Sequence, residues 1–107
     1  MPGLHIGLCL KFPHPKGIGI GARAVVGDNV TIYRKVTIGA NAKTARYPTS
    51  SDDVIIYPGA KLIGGMLVGK NSIVGANAVV IKAVPPDTTV GGVPARVISG
   101  RKHNEIL

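Results

Sequence analysis

One aliphatic side chain returns every six residues. Counting from Ile20, its place is taken by Val26, Ile32 and Ile38 and, after an interruption, by Ile56, Leu62, Val68, Val74 and Val80. Four places further on in each hexad stand Ala24, Val30, Val36, Ala42, Ala60, Met66, Ser72, Ala78 and Val84, small or aliphatic apart from Met66. Directly after the aliphatic place come Gly21, Gly27, Gly39, Gly69 and Gly75, with Tyr33, Tyr57, Ile63 and Ile81 as the exceptions. A helix repeats near 3.6 residues and a plain strand at 2, so a period of six marks an internal repeat. Each hexad reads as a short strand and a turn, and three hexads close one triangular coil. Coils then stack at the strand spacing of about 4.7–4.9 Å, with the aliphatic residues filling the prism. The glycines are expected at the tight turns, where they tolerate positive φ.

Composition agrees with a prism filled by small side chains. The 107 residues are 45% hydrophobic but only 4% aromatic, with 15 Gly, no Trp and one Phe, which disfavours a helical bundle. The length suits one domain, 1–107, small enough to want partners. No apolar run approaches the roughly 18–20 residues of a membrane helix, and no leader pattern opens the chain, so a soluble cytoplasmic protein is expected. Cys9 is the one cysteine, which excludes an intrachain disulfide. The net charge of +8 suits an anionic partner: nucleic acid, an anionic surface or a phosphorylated cofactor.

The repeat is disturbed at three places. Ile6 and Phe12 are six apart but Phe12 and Ile20 are eight apart, so two extra residues enter at "PHPK". An insertion pushes residues out of a prism wall and prolines restrict the backbone beside it, so His14 is expected on a rigid bulge outside the core. Between Ile38 and Ile56, continued counting would turn Thr44 and Ser50 inward. An unpaired polar group in a dry core costs about 1–3 kcal/mol, so a loop over about 42–53 is expected to leave the coil. Finally, Pro85 and Pro86 lack the N–H groups that stacked strands need, so the repeat is expected to stop there and give way to an extended, basic tail over about 85–107.

Three segments, "HPKGIGIGARAVVGDNVTIYRKVTIG", "YPGAKLIGGMLVGKNSIVGANAVV" and "VPPDTTVGGVPARVI", resemble the hexapeptide-repeat acyltransferases. Within that superfamily the sequence is most similar to the catalytic domain of serine acetyltransferases and to related polysaccharide O-acetyltransferases. The resemblance implies an all-β fold, a single-stranded left-handed parallel β-helix, whose hand departs from the usual right-handed crossover. It also implies a homotrimer with active sites between subunits, acetyl-CoA as acyl donor, no metal, and a small-molecule hydroxyl acceptor.

By the same resemblance His14 takes the place of the catalytic histidine. A histidine with a pKa near ~6.5 can remove the alcohol proton during attack on the thioester. Arg46 and Tyr47 fall in the loop that in the family lies over the active site, and are candidate acceptor-binding residues. Ala40, Pro58 and Ala76 correspond to the pantetheine channel, with Pro94 and Arg96 toward its exit. Lys82 is among the cations placed to attract CoA phosphates. The serine pattern is broken twice. Pro13 stands where the family has an acidic residue, and Tyr47 where it has a second histidine, while the acidic partner of His14 would fall upstream of Met1.

Other classes fit less well. A zinc carbonic anhydrase of this fold needs three histidines on the metal, which His5, His14 and His103 do not provide. An ice-binding array wants rows of threonine, and Thr31 and Thr37 are the one in-register pair. A nucleic-acid module lacks any recognisable binding motif and has few aromatic side chains for stacking, so nucleic acid is not an expected partner, and no membrane span is expected. A sugar or polysaccharide O-acetyltransferase, and a catalytically silent CoA-binding or structural β-helix, remain as alternative readings.

Overall fold

The computed structural model describes residues 4–13 and 15–100; His14 lies outside the described residues. Short strands arise because each hexad supplies only two or three extended residues before a corner. In chain order they are β1 (His5–Ile6), β2 (Gly19–Ile20), β3 (Val25–Val26), β4 (Thr31–Ile32), β5 (Thr37–Gly39), β6 (Thr49–Ser50) and β7 (Ile55–Ile56). Then come β8 (Lys61–Ile63), β9 (Leu67–Val68), β10 (Ile73–Val74), β11 (Val79–Val80), β12 (Thr88–Gly91) and β13 (Arg96–Gly100).

Each strand up to β12 pairs in parallel with the one a turn away, which makes three sheets around one axis: β1-β3-β6-β9, β4-β7-β10-β12 with β13 beyond, and β2-β5-β8-β11. We name the corner between the first and second sheets corner I, that between the second and third corner II, and that between the third and first corner III. The inward aliphatic residues stack directly. Ile20 pairs with Ile38, Ile38 with Leu62 and Leu62 with Val80, while Ile32 pairs with Ile56 and Ile56 with Val74. The ladder residues from Val26 to Val80 named in the repeat are at most 1% exposed. Fully burying one such side chain is worth about 1.5–3 kcal/mol.

The registers locate the disturbances. Ile6 pairs with Val26 and Lys11 bridges Thr31, each twenty residues on, whereas Ile20 and Ile38 are eighteen apart. The two extra residues therefore lie between Phe12 and Ile20, at corner II. Partners on either side of the interruption, such as Val26 and Ser50, are twenty-four apart, so the excursion adds six residues.

Two expected boundaries are corrected. The segment 42–53 is not all loop, since Thr49–Ser50 forms β6 between β3 and β9, and Ser50 is 3% exposed in the ladder between Val26 and Val68. Serine is small enough to enter the prism, and its Oγ donates to the Ser51 carbonyl at 3.3 Å. Thr44, by contrast, is exposed on the excursion. Likewise Pro85 and Pro86 do not stop the repeat. Val84 bridges Val68, and β12 continues the second sheet beside β10. The prolines are accommodated at corner I, where Ser72 Oγ donates to the Pro85 carbonyl at 2.7 Å and accepts from the Thr88 N–H at 3.3 Å. β13 then pairs antiparallel with β12.

The corners also differ from expectation. Positive φ at corner I belongs to Cys9, Asn29, Asp53, Asn71 and Asp87, and at corner II to Gly17, Lys35, Gly59 and Asn77. Asn and Asp tolerate the left-handed region because their short side chains bond locally. Gly21, Gly27 and Gly69 after the aliphatic place serve close approach instead: a Cβ on Gly27 would stand 2.5 Å from Asp52 Oδ1. Corner I is laced by side chains one turn apart. The Leu8 N–H donates to Asp28 Oδ1 (2.8 Å), the Asp28 N–H to Asp52 Oδ1 (2.7 Å), Asn29 Nδ2 to Asp53 Oδ1 (2.8 Å) and Asn71 Nδ2 to Asp87 Oδ1 (2.7 Å).

Candidate active site

Corner II carries the "PHPK" insertion. Pro13, Pro15, Lys16 and Arg34 line a cavity of about 400 Å³ there. The candidate base, His14, sits between those prolines in sequence and lies outside the described residues. One and two turns on, Tyr33 and Tyr57 stack with ring centroids 5.1 Å apart and planes at 16°. Next to that stack on the same corner are Pro58, half-buried, whose carbonyl accepts from the Asn77 N–H at 2.9 Å, and Ala76, exposed.

Corner III carries the excursion, which begins at the half-buried Ala40. Its first bend is closed locally: Asn41 Oδ1 accepts from the Lys43 N–H at 2.8 Å, the Ala45 N–H donates to the Asn41 carbonyl at 2.8 Å, and the Asn41 N–H to the Arg46 carbonyl at 3.1 Å. Arg46 then crosses Gly65, where an added Cβ would stand 2.6 Å from Arg46 Cβ. Tyr47 lays its ring on Gly21 and packs against the core. Between the excursion and the first sheet opens a cavity of about 480 Å³ lined by Arg23, Arg46, Tyr47, Thr49, Gly65, Met66 and Leu67, with Ala45 at its edge.

The end of the coil makes a third concavity, of about 230 Å³, lined by Ile81, Lys82, Pro94, Ala95 and Arg96. The β12–β13 turn folds back to form it. The Val79 N–H donates to the Gly92 carbonyl at 3.0 Å and the Ala95 N–H to the Val79 carbonyl at 2.8 Å. Three of the candidate CoA residues, Lys82, Pro94 and Arg96, thus meet around an apolar floor with two cations at hand. Pro58 and Ala76 stand at corner II, across the third sheet from Ala40 at corner III, and line none of these concavities. Among the described residues no three His, Cys, Asp or Glu side chains gather to hold a metal ion, and no helix is long and apolar enough to cross a membrane.

No protein-family model matches the chain. It is 48% identical over 99 residues to the serine acetyltransferase of Mycobacterium tuberculosis and 42% identical over 110 residues to that of Bacillus pumilus. These alignments cover 91% and 99% of this chain but 43% and 51% of those proteins. Its coil superposes on the serine acetyltransferase of Vibrio cholerae O1 with a TM-score of 0.91 at 40% identity, covering 95% of this chain and 40% of that one. The Brucella abortus serine acetyltransferase solved in complex with coenzyme A gives 0.89 at 38% identity over 94% of this chain and 41% of its own. The chain is thus similar to serine acetyltransferases over nearly its whole length. It spans about half the length of the curated relatives it matches.

As in those serine acetyltransferases, the coil of this chain is a left-handed β-helix. Its sequence did not single out Arg23, which stands at corner III one turn before the excursion and faces the same cavity as Arg46. No spacing signal distinguishes Arg23 from other exposed corner residues. Only the six-residue excursion folding beside it makes it part of a concave site.

Proposed function

We propose that the protein is an acetyl-CoA-dependent O-acetyltransferase of the serine acetyltransferase type, passing acetyl directly to a hydroxyl of a small acceptor. The observation that carries this reading is the two-residue insertion at corner II, fixed by the strand registers, at the place where the sequence reads "PHPK". Serine acetyltransferases solved with CoA and with serine share the fold and about 40% of the sequence, which supports the donor and the acceptor class.

His14 acts as general base. It takes the acceptor's hydroxyl proton as that oxygen bonds to the thioester carbonyl carbon. The tetrahedral adduct then breaks its C–S bond, and CoA leaves as the thiol with the proton returned by the imidazolium. No acyl-enzyme is needed, and Cys9 takes no part. The concavity of Lys82, Pro94 and Arg96 suits an apolar pantetheine arm with phosphates beside its cations, and Ala40, Pro58 and Ala76 would flank the arm further along.

A homotrimer is part of this reading. In one chain the Pro13–Pro15 segment and the Arg46–Tyr47 segment stand on different corners and share no cavity among the described residues. Packing three prisms side by side sets corner II of one copy against the excursion of the next. A cytoplasmic location, where acetyl-CoA is at hand, goes with this reading.

A sugar hydroxyl is kept as the alternative acceptor, because Pro13 offers no carboxylate for an amino group and Tyr47 stands where the family has a second histidine. The test is CoA release from acetyl-CoA, followed with a thiol reagent, against L-serine, simple sugars and nucleotide sugars. Wild type is expected to show acceptor-dependent release that falls by about 10² or more in His14→Ala. CoA binding without release for any acceptor would instead establish a silent CoA-binding protein, and failure to bind CoA would overturn the reading.

A further inference from the structure

We propose that Arg34, with Lys16 beside it, is an electrophilic catalytic residue: its guanidinium receives the thioester carbonyl oxygen of acetyl-CoA and holds the negative charge that gathers there as the acceptor attacks. This deepens the acyltransferase reading and rests on it.

The register sets Arg34 in line with the donor's path. The Lys35 N–H donates to the Lys16 carbonyl at 2.7 Å, the Gly59 N–H to the Arg34 carbonyl at 3.0 Å and the Asn77 N–H to the Pro58 carbonyl at 2.9 Å. Lys16, Arg34, Pro58 and Ala76 therefore form one column on corner II, each a turn from the next. In the acyltransferase reading the nucleotide end of CoA lies at the end of the coil, by Lys82, Pro94 and Arg96, and the arm passes Ala76 and then Pro58. The next places along the column are Arg34 and Lys16, so the acyl end of the donor arrives between these two cations. There they line the cavity of about 400 Å³ together with Pro13 and Pro15, the residues on either side of His14 in sequence.

The chemistry of that wall suits an oxyanion. The chain has five acidic residues, and the four described ones, Asp28, Asp52, Asp53 and Asp87, all stand at corner I. No carboxylate among the described residues cancels the charge of Arg34 or Lys16. Pro13 and Pro15 have no backbone N–H, so at two places in the insertion no amide can serve the oxygen, and a side-chain donor has to. The acceptor oxygen bonds to the carbonyl carbon as its proton passes to His14, and the carbonyl π pair moves onto the oxygen beside Arg34. When that pair returns, the C–S bond breaks and the sulfur leaves with the imidazolium proton. The oxygen carries a full charge only in the adduct, so a cation facing it accelerates the step more than it tightens binding.

Steady-state CoA release against L-serine, simple sugars and nucleotide sugars, with CoA affinity measured by calorimetry, tests this in wild type, Arg34→Gln, Arg34→Ala and Lys35→Gln. Melting curves establish that the variants, all at exposed positions, remain folded. Arg34→Gln is expected to lower kcat by about 10² or more while KM for acetyl-CoA and Kd for CoA stay within about threefold. Guanidine hydrochloride far below denaturing concentrations is expected to restore part of the rate to Arg34→Ala and none to wild type. Lys35, the neighbouring cation on the same corner, lies over Gly17, where an added Cβ would stand 3.3 Å from Lys35 Cγ, and Lys35→Gln should keep kcat within about twofold. A raised KM at unchanged kcat in Arg34→Gln would make Arg34 a binding cation and overturn the proposal, with the acyltransferase reading left standing. An equal fall in kcat for Lys35→Gln would overturn it as well, since any positive charge at the corner would then serve. CoA binding by wild type without release for any acceptor would remove the acyltransferase reading, and the role of Arg34 with it.

Discussion

The aromatic ring of Tyr47 lies on the backbone of Gly21, one turn earlier in the coil, and seals the excursion against the prism. Gly21 does not hold positive φ, so the absence of a side chain there is a matter of space alone. Gly21→Ala is expected to destabilise the protein by about 1–3 kcal/mol, the usual cost of overpacking. In a Tyr47→Ala background the same change should cost far less. Thermal melts of the two single variants and the double variant check this, and additive losses would contradict it.

Two serines stand in the prism with different partners. Ser72 holds both the Pro85 carbonyl and the Thr88 N–H, so Ser72→Ala leaves a buried pair unmet and should cost about 1–3 kcal/mol. Ser50 makes a single long bond to its neighbour's carbonyl, and Ser50→Ala should change stability by no more than about 0.5 kcal/mol. Denaturant midpoints of the two variants give the comparison directly.

Lys35 holds φ at 59°, while Gly17 and Gly59 occupy the same place at corner II in the turns before and after. Its Cβ is therefore strained where its stacked neighbours are not. Lys35→Gly is expected to stabilise the fold by roughly 0.5–1 kcal/mol, measured as a raised melting temperature.

Asp28 joins two turns by its carboxylate, which accepts the Leu8 N–H. Asp28→Asn keeps an oxygen acceptor and should be nearly neutral, whereas Asp28→Ala should cost about 0.5–1.5 kcal/mol. Amide hydrogen exchange at Leu8 distinguishes them, with faster exchange expected only in the alanine variant.

Lys82 and Arg96 border the concavity at the end of the coil. If CoA phosphates meet these cations, Lys82→Ala and Arg96→Ala should each raise KM for acetyl-CoA several-fold, with the effect shrinking as salt rises. An unchanged KM at low ionic strength would contradict the placement.

The period of six made the prism, its ladder and the site of the "PHPK" insertion legible before any coordinates, because each aliphatic place repeats a single physical demand. The re-entry at Thr49–Ser50 was not legible. A serine in an aliphatic ladder breaks the pattern by polarity while satisfying it by size, and only register with Val26 and Val68 decides between them. The continuation past Pro85 was hidden for a related reason. Missing N–H groups are fatal inside a ladder but harmless at a corner, and the corner's place shifts when Val84 follows Val80 by four residues instead of six. Arg23 carried no periodic signal because its role depends on a loop that arrives from elsewhere in the chain.

In the first described turn, Ile6 and Phe12 occupy inward places yet are 40% and 38% exposed, while no later turn among the described residues shows such exposure in its ladder. A coil of this kind grows by addition at its ends, each new turn finding a template in the last. Among the described residues β1 pairs on one side only, with β3, and its other edge is such a template. Whatever molecule or chain segment settles there inherits its strand direction, its spacing and its hydrophobic register from two residues, without any contact being specific to its sequence.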